Sequence, residues 1–140
     1  MAGNRRLSIG LPAEHNGGEK RFPLTPEGVA LLTKEGYRVF VESGAGEGIK
    51  YSDLHYTEAG AQATTASEVF RCDVVLKITP LNEQEAAMIR PGVFLLTLLQ
   101  PQYQSASVVR ILMQKKVTAV AIDLITDERG RYLFADILDE

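Results

Sequence analysis

The sequence predicts an α/β fold: a doubly wound, mostly parallel sheet with helices on both faces. Two observations predict it. Short β-rich segments alternate with helical patterns along the chain, and the strands are continuously apolar instead of apolar at every second position. Such strands are typical of a sheet that helices cover on both sides. With 140 residues, 45% of them apolar and 24% charged, the chain has the size and composition of one globular domain.

The individual elements follow from local patterns. Thr25 and Pro26 begin a helix as its cap and first residue, and Gly36 ends it. Apolar segments between turn residues predict the strands, and capping residues followed by helical spacing predict the other helices. The predicted strands are 7–12, 37–43, 73–79, 92–100 and 117–124, and the predicted helices are 25–36, 52–60, 67–70, 82–89, 105–116 and 132–140.

Charge, cysteine content and hydropathy argue against several classes of function. A net charge of −3 gives no reason to expect a nucleic acid or an anionic membrane as partner. Cys72 is the only cysteine, so the chain has no disulfide framework and no thiolate metal site. No segment approaches the roughly 18 apolar residues of a membrane span, and the N-terminus does not read as a signal peptide. We therefore expect a cytoplasmic protein without a metal site.

A glycine-rich turn follows the second predicted strand. A dinucleotide-binding loop has the pattern G-x-G-x-x-G at the start of a helix, where backbone N–H groups face the phosphates. Here Gly44, Gly46 and Gly48 alternate, Ile49 stands where the third glycine belongs, and residues 50–53 read as a new turn and helix cap. The pattern favours a strand-to-helix connection that tolerates positive φ.

Polar residues near the carboxyl ends of strands are the candidate site residues, because ligands of doubly wound sheets bind there. Lys77 lies near the end of an apolar strand, Gln100 ends another, and Arg21 lies in the loop after the first strand. A lysine in such a strand is costly to bury unless its ammonium reaches solvent or an anion. Lys77 therefore either extends past the sheet edge or binds an anion, and Arg21 taken alone could be a solvated loop charge.

Four stretches carry a resemblance to a known family: EKRFPLTPEGV (19–29), VESGAGEGIKYSDLHYTEAGA (41–61), DVVLKITP (73–80) and KKVTAVAIDLI (115–125). In order and spacing, roughly residues 7–140 resemble the N-terminal domain shared by alanine dehydrogenases and the α part of nicotinamide nucleotide transhydrogenases. The resemblance implies a Rossmann-like substrate domain over 1–140, with Arg21 and Lys77 as substrate-binding residues. It also implies a homo-oligomer, and NAD bound by a further domain that this chain does not include, so that these residues hold no cofactor.

The implied reaction is the reversible oxidative deamination of L-alanine to pyruvate. Pyruvate, a 2-oxo acid, presents a carboxylate beside a carbonyl. The guanidinium of Arg21 could bind the carboxylate through two hydrogen bonds, and the ammonium of Lys77 could polarise the carbonyl oxygen. The two residues would form one clamp on a small 2-oxo acid or amino acid.

The sequence departs from the family pattern in three places. Gln100 stands where alanine dehydrogenases usually carry a histidine that acts as acid or base, and glutamine cannot transfer a proton near neutral pH. Asp136 and Asp139 replace the usual arginine and serine, which is unfavourable beside an anionic cofactor. The chain ends at Glu140 without a G-x-G-x-x-G motif, so we expect it to be inactive alone.

Two alternatives remain open. The chain could be the same domain from a proton-translocating transhydrogenase, or a non-catalytic module that binds a small anion or regulates a partner. Other candidate side chains do not change this choice: His15 and His55 are expected to be solvated, and Tyr51 and Tyr103 to be packing or rim residues.

Overall fold

Strands and helices alternate along the chain in the computed structural model, which describes residues 7–14, 23–97 and 105–121. The elements are β1 (Ser8–Leu11), α1 (Pro26–Lys34), β2 (Arg38–Glu42), a 3-10 helix (Glu47–Ile49), α2 (Asp53–Glu58), β3 (Gln62–Thr64), α3 (Ala66–Val69), β4 (Val74–Lys77), α4 (Glu83–Met88), β5 (Phe94–Thr97), α5 (Ala106–Gln114) and β6 (Thr118–Ala121). The helix predicted at 132–140 lies outside the described residues.

These strands form one six-stranded sheet in the order β3-β2-β1-β4-β5-β6. All five neighbouring pairs are parallel, which confirms the predicted α/β class. The sequence prediction omitted β3. This strand has three residues, lies at the edge and buries none of its side chains fully, so it carries no apolar pattern, and its parallel pairing with β2 holds it in the sheet.

Helices cover both faces of the sheet, as predicted. Successive side chains of a strand point to opposite faces, so neighbouring residues of the central strands enter different cores. With α1 and α2, the first face buries an apolar cluster of Ile9, Leu11, Leu24, Val29, Leu32, Val39, Val41, Tyr56, Ala61, Val74, Leu76 and Leu96. The opposite face, packed against α4 and α5, buries Phe70, Val75, Leu81, Ala86, Ile89, Val93, Leu95, Val108 and Leu112.

The centre of the sheet is the junction of β1 and β4, two strands that are far apart in sequence. Their ladder registers Ile9 with Val74 and Gly10 with Val75. At the amino ends the Ser8 amide and hydroxyl both donate to the Asp73 carboxylate, at 2.9 and 3.0 Å, and the Asp73 amide donates back to the Ser8 hydroxyl at 2.9 Å. Side chains therefore extend the pairing of β1 and β4 beyond the ladder.

Candidate functional site at the switch point of the sheet

The strand order reverses between β1 and β4, and this reversal positions the candidate site. After β1 the chain moves outward to β2 and β3, and it then returns to add β4, β5 and β6 on the other side. The segments that follow β1 and β4 therefore start at neighbouring strand ends and lead in opposite directions along the sheet, toward β2 and β5. A crevice at such a topological switch point is where doubly wound sheets bind their ligands.

At this switch point the carboxylate of Glu14 binds the end of β4. Its Oε2 accepts a hydrogen bond from the Ile78 amide at 2.7 Å. Its Oε1 accepts from the Thr79 amide at 3.0 Å, the Thr79 hydroxyl at 2.5 Å and Lys77 Nζ at 3.0 Å. Two successive backbone amides, a hydroxyl and an ammonium thus converge on one carboxylate, an arrangement of donors that is typical of an anion-binding site.

Lys77 is 1% exposed, so its ammonium does not extend past the sheet edge. Besides Glu14, its Nζ donates to the Thr79 hydroxyl at 2.8 Å and lies 3.7 Å from Glu85 Oε2. Glu85 belongs to α4, where its other oxygen accepts from the Asn82 amide in a capping box. We call Glu14, Lys77, Thr79 and Glu85 the switch-point cluster.

The switch-point cluster places two carboxylates around one buried ammonium. Glu85 is 4% exposed, and its Oε2 has no hydrogen-bond partner within the described part of the chain. With both glutamates ionised and Lys77 protonated, the three side chains carry a net charge of −1. Two of the three N–H groups of the Lys77 ammonium thus donate to Glu14 and Thr79.

The other predicted site residues divide into those the structure describes and those it does not. Arg21, Gln100, His15 and Tyr103 lie outside the described residues, so their roles stay predictions. Asp136 and Asp139 also lie outside the described residues, so their unfavourable effect beside an anionic cofactor stays a prediction.

His55 and Tyr51 have structural contacts. His55 is exposed on α2, and its Nδ1 accepts from the Ser52 amide at 2.9 Å. Tyr51 is half-buried and packs its ring edge-on against His55 and Tyr56. This packing role for Tyr51 agrees with the prediction.

The glycine-rich turn does not have the geometry of a pyrophosphate site. The Gly44 amide donates to the Asp53 carboxylate at 2.8 Å, so this amide is already paired with a negative charge of the protein. A three-residue 3-10 helix follows, and Lys50 ends it at φ 67°. At Gly46 a Cβ would lie 2.4 Å from the Tyr56 ring, so close packing requires this glycine. The described residues of this turn therefore do not fit a dinucleotide.

Two ionisable groups near the amino ends of the strands have displaced pKa values. Burial raises the pKa of the Cys72 thiol to about 11, so this cysteine stays protonated near neutral pH. For Asp73, burial acts to raise the pKa, but hydrogen bonds from Ser8 and the guanidinium of Arg90 outweigh it and hold the pKa below its usual value. Both groups lie away from the switch-point cluster and support the structure of the domain.

Groups of potential metal ligands and membrane-spanning helices are both absent from the described ranges 7–14, 23–97 and 105–121. No group of three or more histidine, cysteine, aspartate or glutamate side chains there could hold a metal ion. None of the helices in those ranges has the length and apolar character needed to cross a membrane.

Sequence reasoning found Lys77 but missed its partners. Glu14 and Thr79 are 65 residues apart in the chain, and Glu85 looks like an ordinary capping residue of α4. One signal was present: Glu14 follows the first strand, and in a doubly wound sheet that segment faces the end of the fourth. The strand order therefore predicts that Glu14, the carboxylate nearest to the end of the first strand, contacts Lys77.

The strand order 3-2-1-4-5-6, with a polar cluster at its reversal, defines a Rossmann-type α/β domain. Comparison with known proteins then places the chain more closely. The model of the family described as alanine dehydrogenase/PNT, N-terminal domain, matches residues 10–135. The chain belongs to this family, as the resemblance predicted.

Individual relatives come from both branches of the family. Over 120 residues, 85% of the chain, it is 35% identical to alanine dehydrogenase of Staphylococcus saprophyticus and covers 32% of that protein. Over 119 residues, also 85% of the chain, it is 30% identical to the NAD(P) transhydrogenase subunit alpha of Haemophilus influenzae and covers 23% of it. A solved L-alanine dehydrogenase superposes with a TM-score of 0.75 at 27% identity, over 89% of this chain and 35% of that one. The chain thus spans about a third or less of these relatives.

Proposed function

We propose that this chain is the substrate-side domain of an NAD-dependent oxidoreductase of the alanine dehydrogenase type, which interconverts L-alanine and pyruvate. The observation that carries the proposal is the family match over residues 10–135, together with relatives named alanine dehydrogenase at up to 35% identity. The switch-point cluster supports it, because a group of buried charges lies where such a fold binds ligands.

The cofactor belongs to a second domain in this proposal. We propose that residues 1–140 form one N-terminal domain and that NAD binds elsewhere in the complete protein, and the pairing of the Gly44 amide with Asp53 supports this. We expect residues 1–140 alone to be inactive for that reason. The complete protein is proposed to be a cytoplasmic homo-oligomer that acts on a small 2-oxo acid or amino acid.

The substrate contacts are assigned to residues near the carboxyl edge of the sheet. Arg21 is proposed to hold the substrate carboxylate, because a planar guanidinium donates two parallel hydrogen bonds to it. Gln100 can donate a hydrogen bond to the substrate oxygen but has no proton to exchange near neutral pH. Lys77 is proposed to support the substrate, either by direct contact or through Glu14, whose carboxylate its ammonium binds at 3.0 Å.

The decisive experiment is an activity assay of the complete protein encoded by the gene. Pyruvate, ammonium and NADH are mixed with the enzyme, and loss of NADH absorbance is followed. We expect turnover that requires both pyruvate and ammonium and that falls in an Arg21→Lys variant, since lysine cannot bind the carboxylate through a planar fork. A protein without this turnover would contradict the proposal.

Assays of the same protein preparation distinguish two other candidate functions. The match to a transhydrogenase subunit alpha favours hydride exchange as the second candidate. That activity would appear as reduction of an NADP analogue by NADH without pyruvate. A binding or regulatory module would show neither activity but would bind a small carboxylate in calorimetry.

A further inference from the structure

We propose that Glu85 sets the charge preference of the substrate site, and that its carboxylate favours the zwitterionic amino acid over the anionic 2-oxo acid. This inference rests on the proposed function, with Lys77 in contact with the substrate, and adds a residue that determines specificity. L-alanine carries an ammonium beside its carboxylate, whereas pyruvate carries the carboxylate alone. A negative charge of the protein near this ammonium therefore distinguishes the two ligands.

The ammonium of Lys77 marks where the ligand binds. An ammonium has three N–H donors, and Lys77 directs two of them to Glu14 at 3.0 Å and to the Thr79 hydroxyl at 2.8 Å. In the part of the chain that the structure describes, the third N–H has no acceptor within hydrogen-bond distance, since Glu85 Oε2 lies 3.7 Å from Nζ. This N–H is available to an oxygen of the substrate, which would lie about 2.9 Å from Nζ.

The start of α4 holds Glu85 beside this position. Glu85 Oε1 accepts a hydrogen bond from the Asn82 amide at 2.9 Å, and the Glu85 amide donates to the Asn82 side chain at 2.8 Å. This capping box fixes the side chain of Glu85, so that Oε2 lies next to Lys77. The side chain is 6% exposed, and Oε2 accepts no hydrogen bond from any described residue. A buried acceptor without a donor is costly, and the ammonium of an amino acid is a donor of the opposite charge.

The charge of Glu85 is close enough to act on the ligand. A substrate oxygen bonded to Lys77 would lie no more than about 7 Å from Glu85 Oε2, because both are neighbours of the same ammonium. Across this distance in a protein interior, the interaction of two unit charges changes a binding constant on the order of tenfold or more. Glu85 therefore repels the lone carboxylate of pyruvate and attracts the ammonium of L-alanine. Without its charge, Glu14 and Lys77 balance each other.

The test is Glu85→Gln in the complete protein, with KM measured for L-alanine and for pyruvate at the same pH near neutrality. The glutamine oxygen can still accept from the Asn82 amide, so the variant keeps the capping box and loses only the charge. We expect KM for L-alanine to rise and KM for pyruvate to fall. The ratio of the two KM values should increase at least about tenfold. A purely structural role would raise both KM values and leave their ratio unchanged.

The matched control is Glu83→Gln on the same helix. Glu83 is exposed and accepts a hydrogen bond from the Ser107 hydroxyl at 2.6 Å. Solvent and salt screen its charge, so this variant should change the KM ratio less than about twofold. Where Glu85→Gln does not fold, Glu85→Asp replaces it. The shorter side chain withdraws the charge from Lys77, and the ratio should shift in the same direction by at least about twofold.

The outcomes separate this inference from the proposed function. If the complete protein turns over both substrates and the Glu85 variant keeps the KM ratio of the unmodified enzyme, the inference is wrong and the proposed function stands. If the unmodified protein shows no turnover, the proposed function fails, and calorimetry with L-alanine and pyruvate then measures the two dissociation constants directly. A preference that shifts toward pyruvate in Glu85→Gln supports the inference. An unchanged preference, or no binding of either compound, overturns it.

Discussion

Gly10 of β1 allows a close approach between the sheet and α3, one of the helices that cover it. A Cβ at this position would lie 2.2 Å from the carbonyl oxygen of Val69, the last residue of α3. Real Cβ contacts essentially never fall below 3.0 Å, so strand and helix would have to separate by about 0.8 Å. The obstacle is backbone, and the same carbonyl accepts a hydrogen bond from the Cys72 amide. A side-chain rotation therefore cannot relieve the clash.

We expect Gly10→Ala to destabilise the chain by about 3 kcal/mol, at the upper end of the usual cost of overpacking a core. For a chain of this size, this corresponds to a fall in Tm of roughly 10 °C. Urea unfolding followed by circular dichroism measures the free-energy change, and a thermal scan measures the shift in Tm.

Gly28→Ala is the matched control for this substitution. Its Cβ would clash with the Cδ2 of Leu24 at 2.7 Å, which ends a flexible side chain, whereas Leu24 Cβ and Cγ would lie at an ordinary 3.8 Å. Alanine also favours the helix by roughly 0.5–1 kcal/mol over glycine, so the net change should stay below about 1 kcal/mol. If Gly10→Ala were as mild as this control, the close approach of α3 to β1 would be wrong.

Three further predictions concern a buried hydroxyl, a carboxylate and the proposed proton transfer. Tyr56→Phe should cost about 1 kcal/mol in urea unfolding, because it removes the 2.8 Å hydrogen bond to the Leu24 carbonyl; an unchanged midpoint would contradict this. The Asp73 pKa is lower in the folded chain than in the unfolded chain, so its contribution to stability is present above about pH 4 and is lost as pH falls through the folded value. Asp73→Asn should therefore flatten the acid side of the stability profile, and an equally steep fall would oppose the assignment. In the complete protein, Gln100→His should raise alanine deamination at least about tenfold, measured as NADH formation; equal rates would mean that another group carries the proton.

Most of the fold could be predicted because its signals are local. The Thr25 side chain caps α1 by accepting a hydrogen bond from the Gly28 amide, and Pro26 is the first helical residue, as the sequence indicates. The apolar segments at 73–79 and 92–100 contain β4 and β5. β3 could not be predicted in the same way, because its stability comes from pairing with β2 and not from its own side chains.

The candidate site was only partly predictable, for a related reason. A buried lysine in an apolar strand requires a partner for its charge, so its position in the strand was enough to identify Lys77 as a candidate site residue. Which partner it takes depends on two segments brought together by the strand order, and no local pattern of Glu14 or Thr79 reports that contact. The direct role that the resemblance assigns to Lys77 stays a prediction, and so do the roles of Arg21 and Gln100.

The junction of β1 and β4 also has a consequence for how the molecule folds. Its residues Ser8 and Asp73 are 65 apart in sequence, whereas every other neighbouring pair of strands is connected by a single crossover. Closing this long loop costs the most chain entropy of any strand pairing in the sheet. Strands β1 to β3 and β4 to β6 each pair with neighbours that are nearer in sequence, so we expect the junction to be the last pairing of the sheet to form. The carboxylates of Asp73 and Glu14 lie at opposite ends of the junction, and the hydrogen bonds that they accept join the segments of β1 and β4 there.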